Sequence, residues 1–346
     1  MTTRRVRVGV VGCGIWGQMH IRAHQQHPSA DLVGICDKDP ARASEAAKKA
    51  GISKSFCNVD ELLEHGVDAI SVATPDTAHA EIVIKAANKG VHVLVEKPLA
   101  TTEEECRRMI AAAQSHGVYL MVDWHNRWNP PYYEAWKSIR SGELGEISYV
   151  YYRLSDTIYV PTKMLPWAGN SSVMLFLGSH ALDTTCWLIG SQPVRISCRR
   201  KEGILTSKGI NTADMYISMV DFENGATAVI ENSWVLPQSS PSLIDHKCEI
   251  IGSDGIIYID PTHSAPIAKY TPQTPQGFPH AEFPDMFITP EIHGRQMGFS
   301  VEPIYHFLEC VRDGRQPLTS GEDGLLNTTL IVAAEQSARS GKPVEI

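Results

Sequence analysis

Residues 95–102 read VEKPLATT, a lysine held between a glutamate and a proline at the end of an apolar run. The run Val91-His92-Val93-Leu94-Val95 has the β-branched composition of a buried strand, so Lys97 should emerge at a strand's carboxyl end, where open α/β sheets bind ligands. Pro98 restricts Lys97 to extended backbone, which suits an aimed side chain. A second constellation lies near the amino end. GVVGCGIWG carries Gly12, Gly14 and Gly17 in the G-x-G-x-x-G spacing, directly after a strand and before a helix beginning near Trp16, with Ile15 and Trp16 expected among the cofactor contacts. There the first glycine permits a tight turn, the second lets backbone approach a pyrophosphate, and the third allows close helix packing, while the helix N-terminus offers unpaired N–H donors. The next strand, DLVGICD, ends at Asp37, whose carboxylate would accept from the ribose hydroxyls of a dinucleotide and repel a 2′-phosphate. The spacing thus calls for NAD as cofactor and makes NADP the less favoured choice, although Lys38 beside Asp37 works against strict exclusion. In the third βα loop, ATPDTAHAEI, Ala73 and Thr74 can offer backbone groups to the cofactor and Pro75 fixes the turn; His79 either touches the cofactor or opens the next helix.

Such residues need elements to hold them. Residues 5–122 alternate between short apolar runs (VRVGVV, DLVGIC, AISVAT, VHVLVE, VYLMV) and helical stretches (ARASEAAKKA, HAEIVIKAANKG, EEECRRMIAAAQSHG), the pattern of an α/β domain whose parallel sheet is covered on both faces. After about residue 126 the pattern changes. A short helix in PPYYEAWKSIRSG leads to ISYVYYRL, then VMLFLGSHALDTTCWLIG has helical length and ends in glycine. VRISCRR, DMYISMVDF, ATAVIENSWV, HKCEIIG and GIIYID follow without long helices between them, which suits an α+β domain with an open, mostly antiparallel sheet. The expected division is residues 1–125 and 126–346, with the C-terminal helix free to pack back on the first domain. Residues 261–298, rich in Pro, His and Gly, read as a long excursion over the site or into a neighbouring subunit.

Composition narrows the function. A length of 346 residues with 43% hydrophobic content suits two well-buried domains. A formal charge of -8 offers no basic field for nucleic acid. No apolar segment reaches about 18 residues and the start shows no cleavable signal pattern, so a cytoplasmic protein without a membrane partner is expected. The eight cysteines are scattered without metal-type spacing and read as reduced packing residues, with no metal expected.

Taken together, VGCGIWG, Asp37, ATPDTAH, VEKPLA, HNRWNPPY, GSHALDTTCWLIG and PLTSGEDGLL resemble the glucose-fructose oxidoreductase, inositol dehydrogenase and MocA (Gfo/Idh/MocA) family over essentially the whole chain. That resemblance implies a Rossmann domain, then an α+β domain with an open sheet, and NAD(P)-dependent oxidation or reduction of sugars, polyols or their derivatives. It also implies a homodimer or homotetramer assembled through the sheet. Lys97 matches the family lysine near nicotinamide and substrate; its ammonium can stabilise negative charge on a hydroxyl oxygen that is losing its proton, and Glu96 helps position cofactor or lysine. His180 matches the family's proton donor or acceptor. Phe176 departs from the pattern, because polyol dehydrogenases of the family often carry an aspartate four residues before that histidine. Phe176 offers an apolar wall instead. Asp183 either orients His180 or serves as a cap or ion-pair residue.

The resemblance puts cofactor and substrate contacts in the HNRWNPPY segment. Asn126 is assigned to the cofactor, Arg127 to a clamp on substrate, and Trp128 to substrate or domain-interface core. Trp16 and Trp167 are aromatic surfaces of the kind that stack on sugars, and burial alone is an equal reading. Tyr152, Arg153 and Trp234 fall on strands that could line the sheet, with their face undetermined. The expected activity is hydride transfer between NAD and a secondary hydroxyl, ketone or anomeric carbon of a sugar, cyclitol or sugar derivative. Two alternatives stand beside it: redox-neutral, NAD-assisted cleavage of a glycoside through a transient keto-sugar, and a non-enzymatic NAD-binding regulator.

Overall fold

The computed structural model describes residues 5–262, 285 and 287–346; among these, residues 5–128 with Phe287–Thr328 form one compact unit, and residues 129–262 with Thr329–Ile346 the other. Residues 287–328 therefore cluster with the nucleotide half, whereas the sequence division placed all of 126–346 together apart from the C-terminal helix.

In the first unit, β1 (Val6–Val11), α1 (Ile15–Gln26), β2 (Ala30–Cys36), α2 (Pro40–Ala50), β3 (Ser55–Phe56), α3 (Val59–Glu64), β4 (Ala69–Val72), α4 (His79–Asn88), β5 (His92–Val95), α5 (Glu103–His116) and β6 (Leu120–Val122) follow one another. The strands form a parallel sheet in the order β3-β2-β1-β4-β5-β6. Helices on both faces leave β4 and β6 buried throughout, which is why these strands read as continuous apolar runs. Helix ends follow local chemistry. Asp39 caps α2 ahead of Pro40, Thr102 caps α5, and Gly51 and Gly117 close these helices in the left-handed conformation. The segment 287–328 joins this unit through the helix Glu302–Asp313. Its apolar stripe of Ile304, Phe307 and Leu308 packs in one core with Val6, Val8, Leu94 and Met121.

The second unit runs α6 (Pro130–Arg140), β7 (Ile147–Asp156), α7 (Ser179–Ile189), β8 (Pro193–Lys201), β9 (Met215–Phe222), β10 (Thr227–Ser233), β11 (Ile244–Gly252) and β12 (Ile256–Ile259). Its sheet has the order β12-β11-β7-β10-β9-β8, extended at β8 by Val344–Glu345. All pairs are antiparallel except β7 with β10. β9 alternates strictly between buried and open positions, as a strand with one covered face must. Tyr152, Val220 and Ile230 are on the covered face, where the hydroxyls of Tyr132 and Tyr152 lie 2.6 and 2.7 Å from His246 Nε2 and Trp136 of α6 stacks on Trp187 of α7. Ile217, Met219, Ile251, Ile256 and Tyr258 stay exposed on the other face.

The last helix, Gly321–Ser340, gives its first part to one unit and the rest to the other. Most of the expected excursion at 261–298 lies outside the described residues; its later part contains a small hairpin, Glu291–Ile292 with Arg295–Gln296. Among the described residues no helix is long and apolar enough to cross a membrane. None of the eight cysteines forms a disulfide.

Candidate active site

Strand order reverses between β1 and β4, the switch point of a doubly wound sheet, and the loops after these strands hold the glycine motif and Ala73–Pro75. The three glycines have three separate reasons. Gly12 sits at φ 97°, and a β-carbon there would collide with the Ala73 carbonyl. A β-carbon on Gly17 would collide with the Gly12 carbonyl, so this glycine lets α1 close on the strand. At Gly14 a β-carbon would meet nothing within 4 Å, so packing does not require glycine there; open space over the turn is what a pyrophosphate needs. Gly14 is the N-cap of α1, without a side-chain cap, and Ile15 at its first turn is exposed. The residues present therefore fit a dinucleotide.

Asp37 is buried at the end of β2. Its Oδ2 accepts from the Cys13 N–H at 2.8 Å and its Oδ1 from the Asp39 N–H at 2.9 Å, so the carboxylate braces the glycine loop while keeping acceptor capacity for hydroxyls. The Arg42 guanidinium stands 3.8 Å away, a cation the sequence reading did not place. His79 differs from the expectation of a cofactor contact. Its Nδ1 meets the Pro98 carbonyl at 2.9 Å and its Nε2 the Thr74 carbonyl at 3.0 Å, so both ring nitrogens are engaged by protein and the ring ties the β4 loop to the segment after Lys97.

Lys97 itself is 9% exposed at the carboxyl end of β5, and the Lys97–Pro98 peptide is cis. Glu96 is buried beneath it. The His20 ring donates from Nε2 to Glu96 Oε1 at 3.0 Å, and the Lys97 backbone N–H donates to Glu96 Oε2 at 3.3 Å. Asp123, just past β6, is wholly buried with Oδ2 3.7 Å from His20 Nε2 and Oδ1 4.0 Å from His125 Nδ1. Burial raises the Glu96 carboxyl, but the hydrogen bond from His20 and the influence of His20, Lys97 and His125 outweigh it and leave the group below its ordinary value. Burial, then the charge of Glu96, holds Asp123 well above its ordinary value against the pull of Lys97. Burial also brings His125 down to about 4 despite Glu96, with Lys97 and His20 acting in the same direction. The closing motif PLTSGEDG supports this corner. Ser320 and Asp323 exchange hydrogen bonds in a helix-capping pair, Thr319 donates to the Val122 carbonyl at 2.6 Å, and a β-carbon on Gly324 would come within 2.7 Å of Leu99 Cβ.

The second unit presents a different group of residues. Met174–Gly178 forms a wide π-helical turn that runs into α7 and carries Phe176, with His180 in the first turn of α7 itself. Phe176 lies between Trp167, ring centroids 6.0 Å apart, and Trp234, 5.7 Å apart. His180 is 7% exposed. Asp183 is buried farther along α7, where its charge acts on Tyr152 of the covered sheet face.

Several expected contacts are placed elsewhere. Arg153 is on the face of β7 opposite Tyr152, bonded to Glu231 at 2.9 Å and Asp245 at 3.2 Å, away from the face that carries α7. Trp234 is wholly buried, so it backs Phe176 and exposes no ring to a substrate. Arg127 is bonded to Asp323 at 3.0 Å, and Trp128 packs on His306 with centroids 5.5 Å apart; both brace the first unit. Trp16 stacks on His125 at 5.6 Å, and Asn126 is buried beside that ring in the chain. His20, Asp123 and His125 were missed by the sequence reading. The signal for Asp123 was available: it ends a buried apolar strand, as Lys97 does. His20 gave none, because helical spacing cannot tell a packed histidine from one aimed at a carboxylate on another strand.

Residues 6–124 match a family model described as an oxidoreductase family with an NAD-binding Rossmann fold, and residues 136–346 match the companion model for a C-terminal α/β domain. Among curated relatives, scyllo-inositol 2-dehydrogenase (NAD(+)) of Bacillus subtilis is 28% identical over 99% of this chain and 96% of its own length. D-apiose dehydrogenase of Paraburkholderia graminis is 26% identical over 100% of this chain and 91% of its own. Among solved structures, GenD2 from gentamicin A biosynthesis, in complex with NAD, superposes with a TM-score of 0.87 at 23% identity, covering 100% of this chain and 97% of that one.

Proposed function

The chain belongs to the Gfo/Idh/MocA oxidoreductase family, and from that premise we propose that it oxidises a secondary carbinol of a cyclitol or sugar, with Lys97 and His180 as its catalytic residues. The observation that carries the reading is Lys97, almost wholly buried at the carboxyl end of β5 in a sheet whose glycine turn is shaped for a dinucleotide. The cofactor is NAD, held at the glycine turn and Asp37, and when bound it would supply the hydride acceptor for the carbinol carbon. Lys97 donates a hydrogen bond to the reacting oxygen and stabilises the negative charge that builds there, while His180 accepts the hydroxyl proton, so a C–H and an O–H bond break as C=O forms. Asp37 reads the ribose hydroxyls. Phe176, with Trp167 at its edge, takes the apolar C–H face of a ring. The names of the relatives, dehydrogenases of an inositol and of apiose, support a polyhydroxylated substrate without a charged group.

We also propose a homodimer or homotetramer formed through the outer sheet face, where Ile217, Met219, Ile251, Ile256 and Tyr258 are exposed together. Light scattering of the wild type against an Ile217→Lys, Met219→Lys double variant tests it; unchanged mass would remove this face from assembly.

The activity test incubates the protein with NAD and a panel of inositols, free aldoses and glycosides, following nicotinamide absorbance and substrate NMR together. Accumulation of reduced cofactor with one ketone or lactone product is the expected outcome. Cleavage of a glycoside with no net reduction would overturn simple oxidation.

A further inference from the structure

Glu96 and Asp123 come from different strands, yet one His20 nitrogen and an oxygen from each carboxyl lie within 4.8 Å of one another. Their surroundings are unequal. Glu96 receives two donors, the His20 ring and the Lys97 backbone N–H. Asp123 receives none: among the described residues no donor reaches either of its oxygens, and the carboxyl is wholly buried. His20 Nε2 has one proton to give, and it is given to Glu96 across 3.0 Å, leaving Asp123 at 3.7 Å. An ionised carboxylate without donors in a dry core costs far more than the same group protonated, and two close carboxyls resist carrying two charges. The groups facing the pair are His20 from α1, Lys97 from the β5 loop and His125 from the segment after β6; His24, one turn along α1, is bonded to Ser71 Oγ at 2.7 Å.

We propose that Asp123 holds a proton at neutral pH, so that the Glu96–Asp123 pair carries a single negative charge, and that this charge, on Glu96, is what the pair presents to Lys97. Asp123 is thus a positioning residue, acting on Lys97 through Glu96 and His20. The direction in which burial and Glu96 displace the Asp123 carboxyl agrees with this assignment. The consequence for turnover rests on the catalytic reading of Lys97, while the protonation state does not. Were both carboxyls ionised, Lys97 would face two negative charges and release its proton less readily. With one, the ammonium faces a single negative charge from this pair, that of Glu96.

The test uses the full chain loaded with NAD. Isotope-edited infrared spectra with labelled aspartate should show the stretch of a protonated carboxyl at neutral pH, absent from Asp123→Asn and titrating away in the wild type only at alkaline pH. The wild-type titration decides the matter even if that variant folds poorly. Absence of the band at neutral pH would overturn the proposal, and a stoichiometric divalent cation found by elemental analysis in its place would give the site to a metal instead. For Lys97, the alkaline limb of the kcat profile should move acidward by about one pH unit in Glu96→Gln and by much less in Asp123→Asn. Equal displacement in both variants would mean two charged carboxyls and overturn the proposal. If the band is present but Lys97→Ala remains active, the protonation of Asp123 stands and the catalytic reading of Lys97 fails.

Discussion

The surroundings of Lys97 and those of His180 are made of opposite materials. Around Lys97, in the first unit, stand Glu96, His20, Asp123 and His125, all buried, and burial together with neighbouring charge moves the proton affinities of Glu96, Asp123 and His125. The residues nearest His180 in sequence, in the second unit, lead into an aromatic chain of Trp167, Phe176 and Trp234. The first setting tunes charge, since buried ionisable groups interact strongly at low dielectric. The second shapes a surface and leaves the histidine without a carboxylate at the position before it on the helix, where Phe176 stands. On the proposed function, the difference would make the Lys97 surroundings the source of most of the pH dependence, and Phe176 with Trp167 the wall that meets the apolar face of the substrate.

The comparison can be broken most sharply at Lys97. Lys97→Ala should lower kcat by about 10³-fold with NAD affinity retained within a few fold; near-normal turnover would remove the lysine from the chemistry. The next largest effect concerns stability. His125 titrates at about 4 in the folded chain against 6.5 for the free group, so the unfolded chain takes up its proton first as pH falls. Stability should therefore drop between pH 6.5 and 4, by up to about 3 kcal/mol, and His125→Asn should flatten that slope in denaturant titrations. A slope unchanged by the substitution would place the acid sensitivity elsewhere. Asp37→Ala should weaken NAD by about tenfold and NADP by less, measured by calorimetry. Unchanged NAD affinity would show that another group reads the ribose. Smallest is Phe176→Ala, expected to raise KM by roughly three- to tenfold through lost contact with the ring, leaving the alkaline limb of kcat where it is. A shifted limb would show that the aromatic side also sets proton transfer.

Much of the nucleotide half was legible because its signals are local. A glycine triplet between a strand and a helix, an aspartate ending the next strand and a lysine ending a fifth each follow from short stretches of chain. Asp37 and Lys97 were read from their own segments for this reason. The face of Arg153 could not be read because a strand's two faces alternate residue by residue, and only the partners of β7 decide which one carries α7. His79 opens α4, the second of the two readings offered for it, and the partners that hold His79 and Arg127, the Thr74 and Pro98 carbonyls and Asp323, are set by packing that no short stretch of sequence states. The segment 287–328 offered a helical pattern with an apolar stripe, and nothing in the stripe names the core it will fill.

What the sequence by itself determined was the kind of chain: a doubly wound nucleotide unit, a sheet-rich second unit, NAD as cofactor and the family of oxidoreductases. These rest on periodicities and motifs that are written within about thirty residues. Only the tertiary structure decided that His20, Glu96 and Asp123 meet, since one comes from a helix and the others from two strand ends far apart in the chain. It is also what leaves Asp123 without a donor. A side chain's charge state depends on its neighbours and its access to water, and folding alone brings those neighbours together and shuts the water out.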